Sequence, residues 1–165
     1  MNETITIIKK RRSIRSYENK PIPKKILEEL IDCGRLAPSA KNVQPWEFIV
    51  ITEKKILDKL ASFIVYGSFL RDAACCILVL SQNVQFYIED GSAATENILV
   101  AAKSLNIGTC WIAGDKKEYA DTVLRLVNAP GDLKLVSIIA LGYSHEKIAP
   151  KAKRDIKDVL HWEHY

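Results

Sequence analysis

The sequence has no long apolar run. No stretch approaches the roughly 18 residues that a membrane-spanning helix needs, so a helical membrane protein is excluded. The opening residues, MNETITIIKKRRSIR, have no apolar core behind a basic start, and a secretory signal is not expected. No period of roughly 20–50 residues repeats, which excludes solenoids and propellers. There is no CxxC pair. Cys33, Cys75, Cys76 and Cys110 include thiols set in the apolar stretches AACCILVL and GTCWIAG. They read as buried, reduced thiols of a cytoplasmic protein rather than as a disulfide framework. Neither GxGxxG nor GxxxxGK[ST] occurs, so both common nucleotide-binding fingerprints are missing. The histidines are His145, His161 and His164, with no cysteine near them, and no metal site is expected. No GxSxG elbow occurs, and no side chain stands out as a base or nucleophile. That pattern fits chemistry carried by a bound cofactor.

What remains is an ordinary globular composition. The chain has 165 residues, 48% hydrophobic and 27% charged, enough for one domain with a sizeable core. The net charge of +4 is unevenly placed. Residues 1–25 hold eight basic and two acidic side chains, and residues 147–165 hold five and three. Between them, residues 26–146 hold eleven basic and fifteen acidic. Two basic ends thus flank an acidic body. If the ends meet, they can hold a compact anion such as a phosphate. A solvated basic surface is the plain alternative. Nucleic-acid binding is a third, disfavoured by the acidic middle and not expected.

Periodicity orders the chain. Thr4–Lys10 reads as a short helix with Ile5 and Ile8 on one face. Pro23 opens a second helix carrying Ile26, Leu27, Leu30 and Ile31, which Gly34 and Pro38 close. Trp46–Thr52, Ala73–Leu80, Thr109–Ala113 and Leu133–Gly142 read as strands, and Glu53–Ile64, Asp90–Leu105 and Lys116–Val127 as helices. This alternation suggests α/β or mixed α+β. Ala93, Ala94, Ala101 and Ala102 let another backbone approach the long helix, either in the core or at a two-fold dimer seam. The last 20 or so residues have no strong period and no core of their own, so a partner subunit would give them a surface to lie on.

Three motifs can carry chemistry. Arg11-Arg12-Ser13-Ile14-Arg15 concentrates guanidinium groups and a hydroxyl, the donor types that bind phosphate, with Tyr17 placed to pack inward behind them. Pro38-Ser39-Ala40-Lys41-Asn42-Val43-Gln44-Pro45 is a proline-framed polar loop whose groups come pre-placed, either for a ligand or for a helix cap and turn. Gly108-Thr109-Cys110-Trp111-Ile112-Ala113-Gly114 is a glycine-flanked strand, where glycine allows close backbone approach or positive φ.

Taken in order, RRSIRSY, APSAKNVQPWEFIV and EDGSAATENILVAAKSLNIGTCWIAG resemble the FMN-dependent nitroreductase family, from about residue 7 to the end. The resemblance implies one α+β domain over residues 1–165. It implies a central, mostly antiparallel sheet flanked by helices in an intertwined homodimer, with FMN at the subunit interface. Carried over by residue, Arg11, Ser13 and Arg15 are similar to the ligands of the FMN phosphate and ribityl chain, with Arg12 beside them. Pro38, Ser39 and Ala40 resemble the loop beside the flavin ring, while Asn42 and Gln44 match the part that reaches it across the interface. Ile112, Ala113 and Gly114 match the segment against the ring, with a backbone N–H near Ala113 beside flavin N5. Lys151, Lys153 and Arg154 are candidates for a second phosphate clamp. The expected activity is ping-pong hydride transfer from NADH or NADPH through FMN to an electron-poor small molecule such as a nitroaromatic or quinone. A flavin-binding module without catalysis is the alternative. The short chain implies an open site, with Tyr66–Phe69 the nearest match to the flavin's pyrimidine edge.

Overall fold

The computed structural model describes residues 2–165. Its centre is a four-stranded sheet of β1 (Trp46–Ile51), β2 (Cys75–Gln82), β3 (Gly108–Ala113) and β4 (Leu133–Gly142). The order is β1-β2-β4-β3, and every pairing is antiparallel. Of the two sheet-containing classes that alternation allows, this is α+β, as the family resemblance implies.

Helices cover both faces, and this explains the near-continuous apolar runs CCILVL and LVSIIALG. On one face α2 (Lys24–Arg35) and α4 (Tyr87–Ser104) pack Leu27, Leu30, Ile98 and Leu99 against Ile77, Val79, Ile139 and Leu141. On the other, α3 (Lys54–Phe63) and α5 (Ala120–Leu126) pack Leu57, Leu60 and Val123 against Leu78, Leu80, Ile138 and Cys110. A 3₁₀ segment over Val65–Asp72 adds Leu70 to that second core.

Small residues set the layer spacing in α4. A Cβ on Gly91 would stand 2.7 Å from Val136, so the helix axis lies close to β4. Ala94 and Ala102 are fully buried, whereas Ala93 and Ala101 are half-buried along the flank. The core-packing role is therefore met by two of the four alanines.

The ends of the chain differ from this packed centre. Helix α1 (Glu3–Lys10) is capped by the Asn2 side chain, which accepts from the Thr4 N–H. It buries no residue, and Ile5 and Ile8 stay exposed. The tail beyond Ser144 has one 3₁₀ turn, Ile156–Asp158, and from residue 149 onward every side chain is exposed. Two helix starts differ from the periodicity. Helix α4 begins at Tyr87, ahead of Asp90, and the Tyr87 hydroxyl donates to Asp115 near the end of β3. Helix α5 begins at Ala120 rather than Lys116, because Lys116 takes φ 53° and a turn precedes the helix.

Candidate functional site

The Arg11–Arg15 segment leaves the end of α1 and docks on the open edge of β3. Ser13 bridges Thr109 in parallel, and the Ile14 N–H donates to the Thr109 carbonyl at 2.8 Å. The Tyr17 hydroxyl turns back to donate to the Ile14 carbonyl at 2.6 Å. Burial holds that phenol well above its ordinary pKa, so it stays a neutral donor. The Arg12 guanidinium donates to the carbonyls of Lys9 and Arg11 at 2.8 and 2.7 Å, closing the C-terminus of α1. Arg11 is also tied to α4, with its Nε 3.3 Å from a Glu96 carboxylate oxygen.

A cleft of ≈ 500 Å³ opens beside this segment. Its lining joins Lys9, Arg11, Arg12, Ser13 and Arg15 to Lys151 and Lys153 of the tail, with Ile8 and Ile148. The two basic ends therefore meet. Among the described residues no carboxylate lines this cleft. Six cations surround one small volume and, among the described residues, only Arg11 of them is paired, with Glu96, so a phosphate would relieve the repulsion of the rest while accepting bidentate and hydroxyl hydrogen bonds. The donor set fits a phosphate group. Arg154 does not line the cleft, since its guanidinium donates to the Asp158 carbonyl within the tail.

The upper part of the same strand edge offers a second feature. The Gly114 N–H donates to the Val136 carbonyl at 3.1 Å, which makes Ala113 and Ser137 a non-hydrogen-bonded pair in the β3–β4 ladder. The N–H and C=O of Ala113 consequently face away from β4. The Tyr119 hydroxyl occupies that carbonyl. The Ala113 N–H has no partner among the described residues and points outward. Thr109 and Ala113 are four residues apart, so the docked segment and this free N–H share one edge separated by about 13 Å. Gly114 takes no positive φ; its use is close approach, because a Cβ there would stand 2.6 Å from Leu135 Cγ. Ile112 is buried in the core beneath.

The proline-framed loop is strained and anchored. Lys41, Asn42 and Gln44 have φ of 53°, 56° and 53°, left-handed values that non-glycine residues rarely hold. One bond inside the loop, of the kind a turn makes, and one to a residue outside it hold these conformations. The Ala40 N–H donates to Asp90 Oδ1 at 3.0 Å, and the Gln44 N–H donates to Ser39 Oγ at 2.9 Å. Asp90 is buried in the first turn of α4, and its Oδ2 has no partner among the described residues. Pro38, Ser39, Ala40, Asn42 and Gln44 do not line the basic cleft, so one chain does not bring loop and cleft together. The sequence reading missed Asp90, Tyr87 and Tyr119, none of which carries a spacing signal. Phe69 lies near Arg15, whose guanidinium carbon stands 5.8 Å from its ring centre, while Tyr66 is almost fully exposed.

Cys110 is buried beside Ser13. Burial raises its thiol pKa, against the opposing pull of Arg15 and a hydrogen bond from Ser13. Among the described residues no His/Cys/Asp/Glu cluster could hold a metal ion. No described helix is long and apolar enough to cross a membrane.

An α+β sheet with a cationic cleft on its edge strand is thus the class the fold defines. The sequence profile described as the Nitroreductase family matches residues 8–68 and 64–143. A protein of Archaeoglobus fulgidus named "Putative NADH dehydrogenase/NAD(P)H nitroreductase" is 35% identical over 162 residues, covering 94% of this chain and 90% of that one. A solved FMN-dependent nitroreductase of Clostridium difficile superposes with a TM-score of 0.88 at 31% identity, covering 98% and 99% of the two chains. A Desulfovibrio desulfuricans structure, named a "putative nitroreductase in complex with fmn", superposes with a TM-score of 0.88 at 28% identity, covering 100% and 99%. This chain belongs to the nitroreductase family.

Proposed function

We propose that the protein is an FMN-dependent NAD(P)H oxidoreductase that reduces electron-poor small molecules by a ping-pong sequence. The observation that carries this reading is the carboxylate-free cationic cleft on the same strand edge as the outward Ala113 N–H. Arg11, Ser13 and Arg15 would hold the flavin phosphate from one end of the chain, and Lys151 and Lys153 from the other. When bound, the flavin supplies hydride transfer between nicotinamide and acceptor. The residues around it bind, orient and screen. The Ala113 N–H would offer a donor to the ring, and the Tyr119 hydroxyl holds the carbonyl of the same residue, in the following peptide. Arg15 or one of the tail lysines would add positive charge towards the edge of the ring where negative charge develops.

The reading includes a homodimer. The tail exposes Ile156, Val159, Leu160 and Trp162, the last at 76%, and α1 exposes Ile5 and Ile8. A second copy would cover these side chains and bring its own Asn42 and Gln44 loop to the cleft. A protein that sediments as a monomer at micromolar concentration would refute this part.

Flavin retention tests the assignment. Wild-type protein incubated with FMN and desalted should stay yellow, whereas Arg11→Ala should lose most of its flavin. Equal retention by the two would remove Arg11 from the site. For the ping-pong order, varying NADH at several fixed acceptor concentrations should give parallel reciprocal plots; intersecting lines would contradict it.

A further inference from the structure

The phosphate-binding segment is seated on a notch made by two glycines. Gly108 of β3 and Gly142 of β4 face each other in register at the end of the ladder. A Cβ on Gly108 would stand 2.9 Å from Ile14 Cγ2, and one on Gly142 would stand 2.7 Å from Tyr17 Cδ1 and 3.0 Å from its Cγ. Ile14 and Tyr17 thus lie directly on backbone, where any other residue pair would lift them. Hydrogen bonds lock the seat. The Ile14 N–H is held by Thr109, and the Glu18 N–H donates to the Tyr143 carbonyl at 2.9 Å. The Tyr17 hydroxyl reaches the carbonyls of Ile14 at 2.6 Å and Ala140 at 3.4 Å. Arg11, Ser13 and Arg15 alternate with the seated Ile14, so the depth of the seat sets where their donors stand.

We propose that Gly108, Gly142 and Tyr17 are positioning residues that set the protein's discrimination for the phosphorylated flavin over riboflavin. This rests on the flavin reading above. The contact at Gly142 is with the base of an aromatic ring, which cannot swing aside as a flexible chain end does. Gly142→Ala should therefore displace the segment. Loss of one or two charge-assisted hydrogen bonds corresponds to about tenfold or more in affinity.

The test is titration of FMN and of riboflavin, followed by flavin fluorescence, on the full chain. In Gly142→Ala, FMN affinity should fall about tenfold or more, with riboflavin affinity held within about twofold. Tyr17→Phe keeps the ring and removes only the hydroxyl. It should lower the FMN-to-riboflavin ratio by a few-fold, and it carries the test if Gly142→Ala does not fold. Gly131→Ala, where a Cβ meets nothing within 4 Å, should leave the ratio unchanged. Variants that lose affinity for both flavins equally, or keep the wild-type ratio, overturn the positioning role and leave the flavin reading standing. Wild-type protein that binds neither flavin overturns the flavin reading itself, and this inference with it.

Discussion

Gly114→Ala is the substitution whose consequence the packing defines best. The added Cβ would stand 2.6 Å from Leu135 Cγ, 3.0 Å from the Leu135 carbonyl oxygen and 3.0 Å from the Val136 carbonyl carbon. Two of these atoms are backbone of β4, which is paired on both sides and cannot retreat. The third is the branch point of a fully buried leucine. Overpacking of this kind costs roughly 1–3 kcal/mol. At about 2–4 °C per kcal/mol for a chain of this length, the melting temperature should fall by roughly 2–12 °C. The displaced part is the turn after Ala113, so the outward N–H moves as well. Gly131→Ala is the matched control, because its Cβ enters open space and the unfolded chain loses freedom. It should melt at or slightly above wild type. Thermal melts by circular dichroism, run on all three proteins without added flavin, are the assay. Gly114→Ala melting together with Gly131→Ala would show that β3 and β4 are not packed as described.

Two further outcomes follow from buried groups. Asp90→Ala removes the acceptor for the Ala40 N–H, a charge-assisted bond worth about 1.5–3 kcal/mol, and frees a loop held in left-handed conformations. Asp90→Asn keeps a neutral acceptor for the Ala40 N–H, so its urea midpoint should lie between those of wild type and the alanine variant; a midpoint as low as that of the alanine variant would contradict this account. The second concerns thiols. Burial pushes Cys75 up to about 12 from 9.0 and also raises Cys76 and Cys110, so all three stay protonated in the fold. A raised folded pKa gives stability that is full below the unfolded value and lost as pH rises through the folded one. Stability should decline from about pH 9 towards pH 12, and at neutral pH only half-buried Cys33 should react with a thiol reagent before unfolding. Rapid labelling of Cys75 in the native protein would refute it.

Strands β2 and β4 were readable because both of their faces are covered, which writes burial directly into AACCILVL and LKLVSIIALG. The Pro23 and Gly34 punctuation of α2 was readable for local reasons of φ and hydrogen bonding. The basic ends were readable as charge. Their meeting was legible only through the family resemblance, and the division of the tail was not legible at all: Lys151 and Lys153 line the cleft while Arg154 folds onto Asp158. That division is decided by tertiary contacts with no trace in spacing. The same holds for Asp90, which resembles any acidic residue in a first helical turn until the Ala40 N–H is seen on it. The left-handed Lys41, Asn42 and Gln44 lack the glycine that would have announced them. The 3₁₀ segment Val65–Asp72 was hidden because its single buried leucine and glycine make no period.

The central claim is that this cleft holds a flavin which NAD(P)H reduces. The most direct measurement is the visible absorption spectrum of the protein after FMN loading and desalting, before and after NADH or NADPH is added without oxygen. Flavin bands that remain after desalting, bleach on adding the nucleotide, and return with a quinone or nitroaromatic are the predicted result. Bands that persist unbleached with both nucleotides, or no bands after FMN loading, would contradict it.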